Sequence, residues 1–458
     1  MIEELSGQRR LFGFDTDQAI ESAFSALENA SIRTVGPELI FGKIYDKIGF
    51  GAIKESLFRH LVIARLAFPL SKLKTCEYLY RYQGIHLCID SVYRFLDRLN
   101  AKLKPQIEQI TFAHVKKILN DQINVVFYDL TTLYFEASDE DDLRKTGFSK
   151  DGKHGCPQIY IGLLVTLGGY AIGYDIFEGN IYEGHTLIPF LEDISRKFSL
   201  DKPVIIADAG LLSKENITKL EKNKYQYIIG ARIKNESYQL KSDILSTAFT
   251  ENTVKSFKKG ETNRLIVSYS GKRAKKDAYN RKRGLNRLEK QVKSGKLTKS
   301  SINNRGYNKY LMLQGEVDVQ IDYEKFNSDQ IWDGLKGYIT NTTLKDDEVI
   351  ENYQNLWQIE KAFRISKTDL RIRPVYHRLR HRIEAHICIS FTAYCVYKEM
   401  ERALYEEKST LSLTHAAELT HNMYQIIYTL PESKQTKATL LKMDDQQREL
   451  FEIVSKNF

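Results

Sequence analysis

The sequence predicts an α/β protein whose sheet-forming middle is flanked by helical regions. Residues 124–233 alternate runs rich in β-branched and aromatic residues with helix-like segments, in the order strand, strand, strand, helix, strand, helix, strand. Residues 1–115 and 383–428 instead show helical periodicity. Residues 234–345, which carry a basic stretch among strand-like runs, interrupt the α/β core before it resumes at 346.

Composition limits the class of protein. A chain of 458 residues with 42% hydrophobic residues forms two to four domains with a sizeable core. The net charge of +9 favours a polyanionic partner. Residues 251–310 contain 18 Lys and Arg against 4 Asp and Glu, which gives +14, so the rest of the chain is net acidic. The basic charge is therefore concentrated in one segment.

The cysteines and apolar runs indicate a cytosolic protein. Five cysteines, an odd number with no CxxC pair, favour a reducing compartment. Residues 1–5 lack the basic-then-apolar pattern of a signal peptide. The longest uncharged run, Gly155–Tyr174, is long enough for a membrane span, but its Gly168-Gly169 pair predicts two strands joined by a tight turn. We therefore expect no transmembrane segment.

The amino-terminal region resembles a small helical domain. Its predicted helices are 37–49, 53–67, 72–82 and 90–101. Within it, Thr75–Leu99 fits a helix-turn-helix in which Ser91 caps the second helix. That helix would offer Tyr93, Arg94 and Arg98 to a major groove. Plain packing of two short helices is the competing interpretation.

Two acids lie at strand positions in the middle region. The predicted strands are 124–136, 158–167, 170–177, 204–209 and 225–232, with helices near 184–198 and 213–223. Asp129 interrupts an otherwise apolar strand, where a carboxylate costs several kcal/mol unless it is paired. Asp208 follows a buried strand and precedes a Gly turn, with Ser213 capping the next helix. Such strand ends are where open α/β sheets bind ligands.

The basic stretch Gly271–Lys309 lies among strand-like runs at 263–269, 309–314 and 316–323. A solvated loop and an arm lying along DNA are both compatible with such a charge run. The DNA-bound arm is favoured, because the basic charge is local. Its candidate phosphate contacts are Lys275, Lys276, Arg281 and Arg283.

A third acid lies in the segment Val349–Lys367, which is predicted to form one helix. Its spacing places a single file of aromatic, acidic and cationic residues on one face, namely Tyr353, Trp357, Glu360, Arg364 and Lys367. An apolar stripe of Ile359, Phe363 and Leu370 runs beside the file and would anchor the helix. A face of this kind suits a metal ion and a phosphodiester, although a solvated face is the common alternative.

A cationic run follows this helix. Arg371 and Arg373 begin it, and His377, His381 and His386 are interspersed among further arginines. The histidines sit among arginines and lack an acid-rich or cysteine partner set, which disfavours zinc, so phosphate contacts are the preferred interpretation. Two helices are then predicted, at 383–405 and 411–428.

The three acids in their contexts carry a family resemblance. Asp129 in YDLTT, Asp208 in IADAG and Glu360 in YQNLWQIEKAFRISK resemble the acids of DDE transposases of bacterial insertion sequences. The last motif is similar to the tyrosine-arginine-glutamate-lysine signature of the cut-and-paste group that forms DNA hairpins. Tyr353, Glu360 and Lys367 match its spacing, whereas Leu356 stands where the pattern has arginine.

The resemblance implies a domain organisation. A ribonuclease H-like catalytic core would comprise 116–233 and 346–382, split by a basic β-rich insertion at 234–345 that precedes the catalytic glutamate helix. Residues 1–115 would bind the terminal repeats, and the helical residues 383–458 would support a homodimer in the synaptic complex. The turn at 177–180 and Glu183 also resemble a family turn, although a surface loop is the simpler account.

The resemblance also implies chemistry and partners. Asp129, Asp208 and Glu360 would hold two divalent ions, Mg²⁺ with Mn²⁺ as a substitute, and the partners would be the double-stranded transposon ends and target DNA. Trp332 would stack a flipped base and Trp357 would fill the vacated space, although core packing is the commoner role of tryptophan. We expect a bacterial, cytoplasmic, nucleoid-associated protein with no membrane partner.

Two other functions remain open at this point. One is a ribonuclease H-like DNA nuclease that cleaves without strand transfer, and the other is a non-catalytic DNA-binding relative. Metal-dependent cleavage of DNA ends separates the two enzymes from the binding protein. Joining of the ends to target DNA separates a transposase from a nuclease.

Overall fold

The structure is a computed structural model of the chain. It describes residues 21–22, 25, 27, 31–149, 152–153, 155–200, 202–211, 213–295, 297, 301–303, 306–314, 318–430 and 433–458. The start of the predicted amino-terminal region lies outside the described residues, and so does the start of the predicted strand at 316–323. Parts of the basic stretch also lie outside them.

The chain divides into two compact units. The first unit comprises Met1–Ile123, Leu130–Ile181 and Gln358–Phe458. The second unit comprises Asn124–Asp129 and Tyr182–Trp357.

The described residues form a mixed α/β structure. The strands are β1 (Ile32–Thr34), β2 (Val125–Tyr134), β3 (Gln158–Thr166), β4 (Ala171–Glu178), β5 (Val204–Ala207), β6 (Tyr227–Ala231), β7 (Val254–Lys258), β8 (Arg264–Tyr269), β9 (Leu311–Gln314), β10 (Asp318–Ile321), β11 (Leu335–Thr340), β12 (Tyr424–Thr429) and β13 (Thr436–Leu440). The helices are α1 (Lys43–Ile48), α2 (Ser56–Ala67), α3 (Lys72–Tyr78), α4 (Ile89–Ile118), α5 (Leu187–Phe198), α6 (Lys214–Lys222), α7 (Tyr238–Ser246), α8 (Gly271–Lys293), α9 (Tyr323–Ser328), α10 (Asp346–Gln354), α11 (Trp357–Thr368), α12 (Arg380–Glu406), α13 (Leu413–Leu419) and α14 (Asp445–Asn457).

Eight strands form one large mixed sheet, in the order β4-β3-β2-β5-β6-β11-β8-β7. At its centre β2, β5 and β6 run parallel, whereas β11, β8 and β7 join in antiparallel fashion. The five strands predicted between residues 124 and 232 are confirmed, with small shifts at their ends. The parallel centre places the carboxyl end of β5 beside the middle of β2, and this positions the candidate site.

The basic stretch of the second unit is largely helical, although no helix was predicted there. Helix α8 covers 23 residues, from Gly271 to Lys293. Lys, Arg, Ala and Leu favour helix over extended structure. Leu288 is buried in a small cluster with Tyr310, Leu311 and Val319, which anchors one side of α8 to the β9–β10 hairpin.

The first unit has a mainly helical core. Helix α12 is buried along most of its length and packs against α2 and α4. Among the described residues, none of the helices is both apolar enough and long enough to cross a membrane. The carboxyl-terminal region is not purely helical, because β12 pairs with β1 and β13 in a small antiparallel sheet.

That small sheet corrects the helix predicted at 411–428. Helix α13 ends at Leu419, and the sequence from Tyr424 to Thr429 forms β12 instead. This segment contains two Ile, two Tyr and a Thr, which are residues that favour strands.

Helix α4 corrects the amino-terminal prediction in two respects. It continues to Ile118 through Pro105, well past the predicted end at 101, because Leu103, Ile107 and Val115 continue the buried stripe beyond that point. Its first residue is Ile89, so Ser91 lies inside the helix and does not cap it. The Ser91 hydroxyl accepts a hydrogen bond from Arg94, at 3.2 Å.

The glutamate helix is two helices, not one. Helix α10 ends at Gln354 and α11 begins at Trp357. The side-chain amides of Asn352 and Asn355 donate to the carbonyls of Glu348 and Glu351, at 2.8 and 3.2 Å. Asn side chains that bond to the local backbone in this way favour helix ends. The periodic pattern over 349–367 does not show the break, since it records only the spacing of apolar residues.

Candidate active site and basic surfaces

Two of the predicted acids lie side by side in the second unit. Strands β2 and β5 are parallel, and Tyr128 pairs with Ala207. Asp129 directly follows Tyr128, and Asp208 directly follows Ala207. Neighbouring strands are about 4.8 Å apart. Asp129 is half-buried and Asp208 is exposed. The parallel register therefore places these two carboxylates next to each other, at the point where β5 ends.

Tyr353 lies against Asp208 in the same unit. The buried Tyr353 hydroxyl, on α10, donates to Asp208 Oδ1 at 3.5 Å. That oxygen also accepts from the Ala209 backbone N–H at 2.6 Å. Burial, followed by the negative charge of Asp208, raises the pKa of Tyr353, so its hydroxyl keeps its proton and remains a donor. The two donors fix one oxygen of the Asp208 carboxylate.

Gly230 makes room for this tyrosine, a role that the sequence analysis missed. Ala207 pairs with Ile229 on β6, so Gly230 is the strand neighbour of Asp208. A Cβ at Gly230 would lie only 2.5 Å from the Tyr353 hydroxyl oxygen. A glycine inside a strand signals a close approach, and this signal could have identified the position.

Glu183 brings a further carboxylate to Asp208. Both carboxylates lie near the position that a Cβ at Gly210 would occupy. Glu183 Oε2 is 3.2 Å from that position, and Asp208 Oδ2 is 4.0 Å from it. The turn is fixed to β2, because Tyr128 donates to the Thr186 hydroxyl and Thr186 donates to the Glu183 carbonyl, both at 2.8 Å. Glu183 is thus half-buried beside a predicted site residue.

Glu360 lies on α11 of the first unit. Its side chain is exposed, as is that of Arg364, and Lys367 is half-buried. On the other side of α11, Ile359 and Ile365 are buried. The break before Trp357 separates Tyr353 from this helix, so the predicted single file is divided between α10 and α11. Glu360, Arg364 and Lys367 remain at helical spacing on one element.

The donor chemistry fits a hard divalent cation. Asp129 and Asp208 are adjacent carboxylates, and Mg²⁺ and Mn²⁺ prefer such oxygen ligands. Within the part of the chain that the structure describes, no three or more His, Cys, Asp or Glu side chains are grouped so as to hold a metal ion. The structure therefore brings together two of the predicted ligands, and the joining of Glu360 to them stays a prediction.

Trp332 lines a basic groove of about 460 Å³ in the second unit. Its other lining side chains include Arg232, Lys234, Tyr307 and Lys336. Trp332 is half-buried in it, at the end of the 3₁₀ turn Asp329–Trp332. Cationic and aromatic groups in one groove suit a nucleotide. Trp357, the first residue of α11, is 53% exposed.

The predicted cations of α8 fall into two groups. Lys275, Lys276 and Arg283 are exposed. Arg281 is half-buried and forms an ion pair with Asp333 while lying over the Phe326 ring. The exposed three are therefore the ones available to a phosphate backbone.

The remaining predicted contacts lie in the first unit. Arg94 is exposed on α4, and Arg98 lies 3.7 Å from a Glu55 carboxylate oxygen. Tyr93 is half-buried beneath the Arg382 guanidinium, 4.9 Å from its ring centre. Arg371 and Arg373 follow α11 and line a pocket together with Tyr93.

Comparison with known proteins gives a family match over most of the chain's middle. The family described as "Transposase DDE domain" matches residues 121–396, a span that contains Asp129, Asp208 and Glu360. No curated protein matches the chain.

Solved structures give weak similarities. The cryo-EM structure of a piggyBac transposase synaptic complex with hairpin DNA aligns with a TM-score of 0.40 and 10% identity, over 84% of this chain and 76% of that one. A Mos1 transposase paired-end complex with the left transposon end aligns with a TM-score of 0.17 and 10% identity, over 34% of this chain and 53% of that one.

Proposed function

Since the chain belongs to the transposase DDE domain family, we propose that it is a DNA transposase that excises an insertion sequence and joins it to target DNA. The observation that carries the proposal is the adjacency of Asp129, within β2, and Asp208, directly after the parallel strand β5, inside the matched region. The substrates would be the terminal inverted repeats and a target duplex. The reaction would be phosphoryl transfer at phosphodiester bonds.

The core is proposed to be ribonuclease H-like. The parallel arrangement of β2, β5 and β6, with antiparallel β3 and β4 at one edge, supports this assignment. In such a core Glu360 would join the two aspartates and complete the ligands of two divalent ions, Mg²⁺ in the cell with Mn²⁺ as a substitute. When bound, such ions activate a water or 3′-hydroxyl and stabilise the leaving oxygen.

The chain's own side chains would orient the reacting groups. The Tyr353 hydroxyl and the Ala209 N–H fix one oxygen of Asp208, which leaves the other for a ligand. Arg364 and Lys367, at helical spacing from Glu360, would hold the terminal phosphate through charge-assisted hydrogen bonds. Trp332 would stack a flipped base in its basic groove, and Trp357 would fill the space that the base leaves.

Other surfaces are proposed to bind the rest of the DNA. The exposed cations of α8 would contact the phosphate backbone, and Tyr93, Arg94 and Arg98 would contact the terminal repeat. The carboxyl-terminal region is proposed to form a homodimer in the synaptic complex. The cellular site is proposed to be the bacterial cytoplasm, at the nucleoid.

The proposal is tested with three single variants, Asp129→Ala, Asp208→Ala and Glu360→Ala. Each should abolish Mg²⁺-dependent cleavage of end DNA and leave binding in Ca²⁺ largely intact, because carboxylates hold the metal and separate cations hold the DNA. Cleavage is followed on gels and binding by fluorescence anisotropy. Glu215→Gln, which removes an exposed acid paired with Lys219, is the matched control and should cleave normally.

The outcomes separate the three functions considered above. If one of the three variants cleaves at the parental rate, the acid that it lacks is not a metal ligand. Cleavage without any joined product would make the protein a nuclease. Binding with no cleavage by the parent chain, in either Mg²⁺ or Mn²⁺, would make it a non-catalytic relative.

A further inference from the structure

A pocket of about 330 Å³ in the first unit is lined by cationic side chains from separate elements. They are Arg65 on α2, Lys72 on α3, and Arg371 and Arg373 in the segment after α11. The rings of His377 and His386 also line the pocket. No Asp or Glu is among its lining residues. Cations crowded in this way repel one another unless an anion lies among them.

Lys72 is the most unusual member of the pocket. Its side chain is buried, with only 5% of the residue exposed. Within the described ranges no carboxylate or hydrogen-bond acceptor partners its ammonium group. Burial, followed by the nearby charge of Arg65, pushes the pKa of Lys72 well below its ordinary value. An unpaired buried ammonium costs several kcal/mol, so the position favours a ligand that supplies negative charge.

Arg65 holds the other wall of the pocket in place. It is 6% exposed, and its Nη1 donates to the carbonyls of Leu370 and Arg371 at 3.4 and 3.3 Å. Arg371 itself has a φ of +44°, in the left-handed region that non-glycine residues rarely adopt. Backbone strain of this kind persists where the surroundings enforce it, and here Arg65 supplies two of the fixing bonds.

The two histidines of the pocket lie close to the same cations. His386 donates from Nε2 to the Ile372 carbonyl at 2.8 Å, and its buried Nδ1 has no hydrogen-bond partner. Burial, then the charges of Lys72, Arg382 and Arg65, lowers the pKa of His377 to about 4. Burial first, and the cationic neighbours second, thus lower the pKa of both rings, and a bound anion would oppose the effect of those neighbours.

We propose that this pocket binds a phosphate group, and that the group is a phosphodiester of duplex DNA. Guanidinium groups match phosphate oxygens with paired N–H donors, and an ammonium adds a compact point charge. The volume also accommodates an adjoining sugar, next to Tyr93 and the exposed Tyr376. The presence of an anion site follows from the pocket alone, whereas its assignment to DNA rests on the proposed function.

The test compares Lys72→Met with Lys74→Met in the full-length chain. Lys74 is on the same helix but is exposed and paired with Glu77 at 2.8 Å, so its variant removes an equal charge outside the pocket. In chloride buffer, Lys72→Met should melt at the parental temperature or above, because it removes a buried unpaired charge. Inorganic phosphate should raise the melting temperature of the parent and of Lys74→Met, and should leave that of Lys72→Met unchanged.

DNA binding supplies the second arm of the test. With a duplex, Lys72→Met should lower the slope of log affinity against log salt by about 0.9, the value for one lost phosphate contact. Arg371→Gln repeats both measurements from the opposite wall, so the test still decides if Lys72→Met fails to fold. The measurements require no cleavage, and a parent chain that never cleaves DNA would contradict the proposed function without affecting the phosphate result.

Two results would overturn the inference. Equal phosphate stabilisation of the parent and both pocket variants would show that the anion binds elsewhere or not at all. Loss of phosphate stabilisation together with unchanged duplex affinity and salt slope would show that the pocket takes free phosphate, which rejects the assignment to DNA.

Discussion

At the scale of single residues, the site depends on one missing side chain. Gly230 leaves the space that the Tyr353 hydroxyl occupies beside Asp208. The Lys336 ammonium lies 4.4 Å from the Tyr353 ring centre, and Tyr338 packs edge-on against it at 4.9 Å. The orientation of the Asp208 carboxylate therefore depends on how closely a helix can approach a strand.

Gly230→Ala should displace Tyr353 and lower the free energy of unfolding by about 1–3 kcal/mol, the usual cost of overpacking. Tyr353→Phe removes the crowded oxygen, so the double variant should be less destabilised than the sum of the single variants. Urea unfolding measures all three. Gly155→Ala is the control, because a Cβ there meets nothing within 4 Å. Additive effects would show that Gly230 and Tyr353 are not coupled.

If excision passes through hairpin ends, as the resemblance to the hairpin-forming group implies, Trp332→Ala should slow hairpin formation more than the initial nick. Stacking of a base on an aromatic ring contributes about 1–3 kcal/mol, and only the sharply bent strand needs an extruded base. Trp357→Ala should show the same pattern more mildly. Gel assays on pre-nicked ends, together with thermal melting, separate this role from packing. A folded Trp332→Ala that forms hairpins at the parental rate would reject base flipping.

Residues that stand out in their local sequence could be predicted as site residues. Residues that are buried by segments distant in the sequence could not be predicted. Asp129 interrupts an apolar strand, and this alone marks it. Lys72 and Arg65 lie on helices where cations normally face water. The burial of Arg65 becomes visible only when residues about 305 positions away pack over it. Local patterns carry no information about contacts of that kind.

At the scale of elements, strands were easier to predict than the limits of helices. The strands between 124 and 232 were recognisable from their β-branched residues. The break between α10 and α11 depends on hydrogen bonds of Asn352 and Asn355 that periodicity does not record. Helix α8 was hidden because its exposed face is so strongly charged that it obscures the anchoring face around Leu288.

Replacing Lys275, Lys276 and Arg283 of α8 with Gln should weaken duplex binding and reduce its salt slope by about 0.9 per lost phosphate contact. Arg281→Gln should instead lower the melting temperature and keep the slope, because its charge is paired with Asp333. Anisotropy titrations at several salt concentrations measure the slopes. An unchanged slope in the triple variant would show that α8 does not lie on DNA.

At the scale of the whole molecule, one half-buried acid, Asp329, should govern part of the stability at low pH. Asp329 receives hydrogen bonds from Tyr310, at 2.7 Å, and from Lys309, and lies 3.2 Å from Lys234. Burial opposes its ionisation, but Lys309 and Tyr310 outweigh burial and lower the pKa of Asp329 to about 2. The folded state therefore binds this proton less readily than the unfolded chain does.

Asp329→Asn should lower the free energy of unfolding by about 1–2 kcal/mol at pH 7. The stabilisation by Asp329 is complete above its unfolded pKa, near 3.8, and is lost as the pH falls through about 2. Urea unfolding of parent and variant at pH 7, 4 and 2 should show the difference shrinking across that range. Asp121→Asn, at an exposed acid with a φ of +64°, is the control and should have little effect throughout. A difference independent of pH would contradict the assignment.

The excess of Lys and Arg between residues 251 and 310 should also affect the solubility of the purified protein. That segment of one molecule attracts the net acidic remainder of another, and the attraction reaches about 30 Å at 0.01 M salt but only about 8 Å at 0.15 M. We therefore expect concentrated samples to turn cloudy on dialysis into dilute buffer and to clear when salt is added. The isoelectric point of about 8.9 alone suggests that molecules repel one another in dilute neutral buffer. The uneven distribution of charge predicts the opposite.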